Sequence, residues 1–206
     1  LPQLSKIVED VSSSPIVLMG HSRGAIISLF LAAVLSEKVS SIVALDALIP
    51  DPQPDGNVTD QLKKFIKERQ KLINKKHTYM SKREAVIDRR CSVGLSLDAA
   101  EILARRSLLH IEGKGYFWRF DQRLKGASAV KFSKNDLSNI LSNIEIPVML
   151  AIANDGYING SAEVDVISGE LKRCEIVKVK GGHHFHMEES ADYLAQIIND
   201  FLVREM

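Results

Sequence analysis

Cysteine is scarce in this 206-residue sequence: only Cys91 and Cys174, far apart and in no C-x-x-C or metal-ligand spacing. That excludes a disulfide framework and a cysteine-based zinc module, and reads as two free thiols in a reducing compartment. No apolar run reaches the ~20 residues of a membrane span. The longest candidate, 25–35, is short and broken by Ser28. Neither sign of charge is in surplus: Lys plus Arg is 27, Asp plus Glu is 26, and the net charge is +1. Nucleic acid and anionic membrane therefore have no electrostatic case as partners. Neither G-x-x-x-x-G-K-[ST] nor G-x-G-x-x-G occurs, so there is no phosphate loop. Repeats, low-complexity segments and a visible signal peptide are also lacking, and a cytoplasmic location is expected on that ground. What remains is a globular composition, 45% hydrophobic and 26% charged, in a chain long enough to bury a sizeable core.

The apolar pattern is that of an α/β protein. Leu4, Ile7, Val8 and Val11 sit at helical spacing, and Ser12–Pro15 break the helix. Ile16–Met19 is wholly apolar and reads as a strand buried on both faces of a parallel sheet. Residues 20–24 turn the chain into a deeply buried helix over 25–35, and 41–48 form a second buried strand, completing a βαβ unit. Pro50, Pro52, Pro54 and Gly56 then open a different region. It carries a basic amphipathic helix over 60–76, a helix started by Ser81 and Glu84, a helical run over 97–109, and a helix capped by Ser133. No strong strand is expected between 50 and 145. The lysines and arginines of 63–76 read as a solvated face, and Tyr116, Phe117 and Trp118 as packing. The α/β pattern resumes with a buried strand over 147–152, the turn Asn154-Asp155-Gly156, a short helix over 161–170, a strand over 174–180 and a last helix over 190–203. The expected organisation is a core of 1–50 and 145–206 with a helical cap over 51–144.

Gly20-His21-Ser22-Arg23-Gly24 is the sharpest chemical signal. A strand ends immediately before this G-x-S-x-G pentapeptide and a buried helix follows it. Ser22 then sits on a tight strand-to-helix turn with its oxygen projecting from the sheet. Side chains at Gly20 and Gly24 are expected to collide with the neighbouring strand and helix. The helix N-terminus aims its amides, that of Arg23 included, at the site, where they stabilise an oxyanion. Ser22 needs a base. His183 is the choice, with His184 in reserve, because both follow the last strand at the rim where such sheets place their sites. His77 and His110 lie in the insertion. The base needs a carboxylate to fix its tautomer. Asp155, in the turn after the third strand, is preferred, and Asp46, near the end of the second, is the reserve. No metal is expected, since no partner cluster supports His183, His184 and His186 as ligands.

At this point the sequence resembles an α/β-hydrolase with a cap. VLMGHSRGA (17–25), IVALDALIP (42–50), IPVMLAIANDGY (146–157) and GGHHFHMEE (181–189) match landmarks of that fold in order. REAVIDRR (83–90), LSLDAAEILARRSL (95–108) and GYFWRFDQRLK (115–125) resemble the cap of the serine hydrolase-like proteins. The resemblance implies a mostly parallel sheet flanked by helices, with Ser22 as nucleophile, His183 as base and Asp155 as acid. It further implies a serine hydrolase that cleaves a small ester-like acyl substrate through an acyl-enzyme, without a cofactor. A non-catalytic member that keeps the fold for binding is the alternative. In this family the nucleophile follows several earlier strands, whereas here it is residue 22. The expectation is therefore a C-terminal part of a longer enzyme, lacking the loop that donates a second oxyanion amide. Loss of one such donor costs ~10²–10³ in rate, so impaired activity is expected, as is an unpaired sheet edge prone to association.

Overall fold

In the computed structural model the chain runs α1 (Pro2–Val11), β1 (Ile16–His21), α2 (Arg23–Val34), β2 (Val39–Leu45), α3 (Val58–Ile73), α4 (Lys82–Val93) and α5 (Leu97–Ser107). It continues with β3 (Leu108–Ile111), β4 (Gly115–Trp118), α6 (Lys134–Ser142), β5 (Val148–Asp155), β6 (Cys174–Gly182) and α7 (Ala191–Glu205), with short 3₁₀ turns between. The structure describes every residue except 48, 54–56, 74–77, 162–163, 165–167 and 206. Two compact units result: Leu1–Pro52 with Phe132–Met206, and Gln53–Lys131.

The first unit is built on a parallel sheet in the order β1-β2-β5-β6. Its central strands are apolar on both faces because each face has its own cover. Ile42 and Ala44 of β2 and Val148, Leu150 and Ile152 of β5 pack with Ala25, Leu29 and Ala32 of α2 and Leu141 of α6. The alternate residues Val43, Leu45, Met149, Ala151 and Ala153 pack with Phe185 and with Leu194, Ile198 and Phe201 of α7. This is the doubly covered pattern of a parallel sheet. Helix α2 can be apolar nearly all round because its inner positions, Ala25 and Leu29, are fully buried. Strand β1 is one edge of this sheet, and Val17 and Met19 on it are exposed.

The second unit corrects one expectation. Residues 108–118 form an antiparallel hairpin, β3 with β4, extended by a bridge between Tyr79 and Tyr116. Helix α5 stops at Ser107 where the expected helix continued to 109. Gly113 and Gly115, at φ 72° and 89°, supply the left-handed backbone that the tight turn requires. Trp118 is buried in this unit, with the Arg89 guanidinium 5.6 Å from its ring. The capping residues behave as read: Ser81 Oγ accepts from the Glu84 amide and Ser133 Oγ from the Asp136 amide. However, α6 belongs to the first unit, so the insertion ends at Lys131 and not at 144. Leu137 and Leu141, both buried, hold α6 there. His77 and half of the short helix expected over 161–170 lie outside the described residues.

Candidate active site

The parallel sheet brings three chain segments to one rim. β1 ends at His21 opposite Leu45, the last residue of β2. The next residues, Ser22 and Asp46, both leave the strands in the left-handed region, with φ of 54° and 46°. They are the two non-glycine residues with positive φ among the described residues. Such backbone costs ~1–3 kcal/mol and persists only where the surroundings enforce it. Ladder bonds enforce it here: the Ser22 amide donates to the Leu45 carbonyl at 2.9 Å, and the Asp46 amide to the Ala151 carbonyl at 2.8 Å.

Ser22 is the N-cap of α2, yet its side chain makes no capping bond. Its hydroxyl is not consumed by the helix it precedes. The Arg23 amide, at the first helical position, belongs to the electropositive N-terminus of α2. Gly20 is obligatory at this turn, because a Cβ there would lie 2.3–2.5 Å from backbone atoms of Gly24 and Ala25. Gly24 is not: a Cβ there meets nothing within 4 Å, which corrects the collision expected at that position.

The carboxylate beside His183 is Asp46, not Asp155. His183 Nδ1 donates to Asp46 Oδ2 at 2.6 Å, with the Asp46 side chain fully buried and that of His183 11% exposed. Asp155 is exposed at the end of β5, opposite Gly182. The physical reason lies in the turn that carries Asp155. The Ala153 and Tyr157 amides donate to the two Asp46 oxygens at 3.1 and 3.2 Å. Gly156 leaves the space the carboxylate fills, since a Cβ there would lie 2.4 Å from both oxygens. The Asn154-Asp155-Gly156 turn is thus a cradle for an acid from the adjacent strand. Because the carboxylate accepts, Nδ1 of His183 carries the hydrogen and Nε2 is left with the lone pair.

The His183 turn is fixed from below. Phe185, fully buried, anchors it in the core shared with α7, and Ser190 Oγ donates to the Lys180 carbonyl at 2.7 Å. Tyr157 covers His183 with ring centroids 4.2 Å apart. His184, the reserve base, stands 5.0 Å from both the His21 and His183 rings.

His21 is a member of this rim to which the sequence reading gave no role. Its Nε2 donates to the His183 carbonyl at 2.7 Å, and its ring lies 4.1 Å from that of His186. Burial, more than any neighbour, holds its pKa below the ordinary histidine value. Burial and then the surrounding imidazoles push His186 down to about 4. No metal was expected, but His21, His184 and His186 together present three ring nitrogens within 4.8 Å of one another. The signal for this was the histidine inside the pentapeptide, which the fold sets against G-G-H-H-F-H.

A parallel sheet covered by helices on both faces, with a tight strand-to-helix turn at Ser22, is the architecture of the α/β-hydrolase class of fold. The chain belongs to the α/β-hydrolase family: residues 3–85 match the family model described as alpha/beta hydrolase fold, and the solved relatives share the architecture. It is 30% identical to a crystallographically determined hypothetical protein from Pseudomonas aeruginosa PAO1, with a TM-score of 0.89 over 98% of this chain and 72% of that one. It is 25% identical to a serine hydrolase-like protein of Danio rerio over 96% of this chain, spanning 63% of that relative's length. The thioesterase domain from the curacin biosynthetic pathway shares the fold at 19% identity, with a TM-score of 0.76 over 96% of this chain and 70% of that one. No helix among the described residues is long and apolar enough to cross a membrane.

Proposed function

We propose that Ser22, His183 and Asp46 are the nucleophile, base and acid of a serine hydrolase that cleaves small ester-like acyl substrates. One observation carries this reading: a buried carboxylate holds His183 Nδ1 at 2.6 Å, on the rim where Ser22 takes a positive-φ backbone. That pairing leaves Nε2 as the basic nitrogen, the tautomer that a serine nucleophile needs. His183 Nε2 takes the Ser22 hydroxyl proton as Oγ bonds to the carbonyl carbon. Asp46 stabilises the resulting imidazolium, and the Arg23 amide donates to the oxyanion. Collapse breaks the bond to the leaving oxygen, which takes the proton from His183. Water then gives a proton to His183 and attacks the acyl carbon; the bond from that carbon to Ser22 Oγ breaks as Oγ takes the proton back from His183. The similarity to a protein named serine hydrolase-like and to a thioesterase domain supports the reaction class. The activity, substrate and partners of the whole protein are part of this proposal, since the chain spans less than two thirds of its Danio rerio relative.

A fluorophosphonate probe followed by peptide mass spectrometry tests it. The expected result is an adduct on Ser22 that is lost in Ser22→Ala and in His183→Ala. A folded protein that takes no adduct at Ser22 would point to the non-catalytic, binding use of the fold.

A further inference from the structure

Three imidazoles that the proposed hydrolysis leaves unused meet beside its base. His21 comes from the end of β1, and His184 and His186 come from the turn after β6. All three are partly buried, with one ring nitrogen of each within 4.8 Å of the other two. His21 is held as metal-binding imidazoles are held: its Nε2–H is given to the His183 carbonyl at 2.7 Å, which fixes the tautomer and leaves Nδ1 with its lone pair. His186 Nδ1 is buried without a hydrogen-bond partner. Buried polar atoms are nearly always satisfied, so an orphan of this kind calls for a ligand. His183 stays outside the group because its Nδ1 is committed to Asp46.

We propose that His21, His184 and His186 bind one transition-metal cation of the Zn²⁺ class and that the bound ion inhibits the hydrolase. Neutral imidazole suits zinc, copper and nickel, whereas magnesium and calcium take oxygen ligands. Zinc–nitrogen bonds of ~2.0–2.1 Å set the nitrogens of a tetrahedral site ~3.3 Å apart, so the three rings need to close by no more than about 1.5 Å. Side-chain torsions cover that distance, and a water completes the fourth position. Inhibition rests on the reading of Ser22 and His183 given above and follows from charge. The His21 and His183 rings are 4.5 Å apart. A dication held by His21 opposes the positive charge that His183 must accept from Ser22.

Calorimetric titration of the metal-free chain with Zn²⁺, and separately with Mg²⁺, tests the site. One Zn²⁺ per chain is expected, with no Mg²⁺ binding. His184→Ala and His186→Ala should each weaken Zn²⁺ by more than the ~10–100-fold that loss of an outer-shell partner costs. Circular dichroism establishes that both variants are folded, and either one alone suffices for the comparison. Saturating Zn²⁺ should slow fluorophosphonate labelling of Ser22 by at least about tenfold in the wild type. An absence of saturable Zn²⁺ binding, affinity unchanged in both folded variants, or labelling unaffected by bound Zn²⁺ overturns the proposal. Absence of any Ser22 labelling in metal-free protein overturns the hydrolase reading and the inhibition that rests on it. The zinc titration then still decides the site itself.

Discussion

Replacing Asp46 by asparagine probes the centre of this structure with almost no change of shape. The native carboxylate accepts from His183 Nδ1 at 2.6 Å and from the Ala153 and Tyr157 amides at 3.1 and 3.2 Å. An asparagine has one oxygen to accept and an NH₂ that can only donate. If the NH₂ faces His183, the imidazole must accept at Nδ1, its Nε2 becomes protonated, and the base is lost. If it faces the Ala153 amide instead, two donors oppose each other in a buried place. Loss of the correct tautomer costs ~10⁴ in rate where it has been measured in other serine triads. A buried donor left unsatisfied costs ~1–3 kcal/mol, and a hydrogen bond to a charged group contributes ~1.5–3 kcal/mol. Asp46→Asn is therefore expected to slow Ser22 labelling by at least ~10³-fold and to destabilise the chain by roughly 2–4 kcal/mol. Labelling kinetics and the urea midpoint, measured on the same preparation, read the two effects. Asp155→Asn is the control: this side chain is exposed, so labelling should stay within about threefold of wild type and stability within ~0.5 kcal/mol. The reasoning fails if Asp46→Asn labels like the wild type while Asp155→Asn does not.

Three further outcomes are expected. Gly156→Ala places a Cβ 2.4 Å from both Asp46 oxygens and displaces the carboxylate, so it should mimic Asp46→Asn in labelling although all three proposed catalytic residues keep their identity. Gly20→Ala should cost at least ~3 kcal/mol or prevent folding, because its Cβ meets backbone at 2.3–2.5 Å, whereas Gly24→Ala should be neutral or stabilising by up to ~1 kcal/mol; urea titration of both separates them. Burial pushes the Cys174 thiol up to about 11, so its thiolate is only about one part in a thousand at pH 8. Iodoacetamide should therefore alkylate exposed Cys91 first, and the Cys174 rate should rise about tenfold for each pH unit towards 11 while the fold holds.

The features that could be read in the sequence were those with strong local causes. β2 and β5 are apolar at every central position because helices cover both faces, and such runs are visible without any tertiary information. The Gly20–Gly24 motif was legible because the elbow needs a glycine at a fixed offset from the serine. The β3–β4 hairpin was not. Its strands have four residues each, and Leu108 and Leu109 continue the helical spacing of α5, so nothing local marks the change until Gly113. The acid could not be fixed either. Asp46 and Asp155 each follow a strand at the same rim, and sequence order does not say which carboxylate turns inward. What decides is the empty volume over Gly156 and the direction of two amides, both properties of the neighbouring chain. His21 was overlooked because the middle of a nucleophile motif draws attention to the serine and its amides, not to a side chain that meets a turn 162 positions away.

The Asp46 cradle also bears on how freely the insertion can change. The Ala153 amide that holds Asp46 lies 107 residues along the chain, and the whole Gln53–Lys131 unit sits within that interval. Loop-closure entropy grows only logarithmically, by about 0.6 kcal/mol for each doubling of length. Removing the insertion altogether would shorten the closed loop by roughly two doublings, a change of about 1 kcal/mol. The rim is therefore nearly insensitive to how much chain is threaded between its second and third strands. Insertions of other lengths and sequences could be exchanged at Pro52 and Phe132 with little entropic effect on the acid–base pair. A lineage could then alter the inserted unit while its chemistry stays anchored in the sheet.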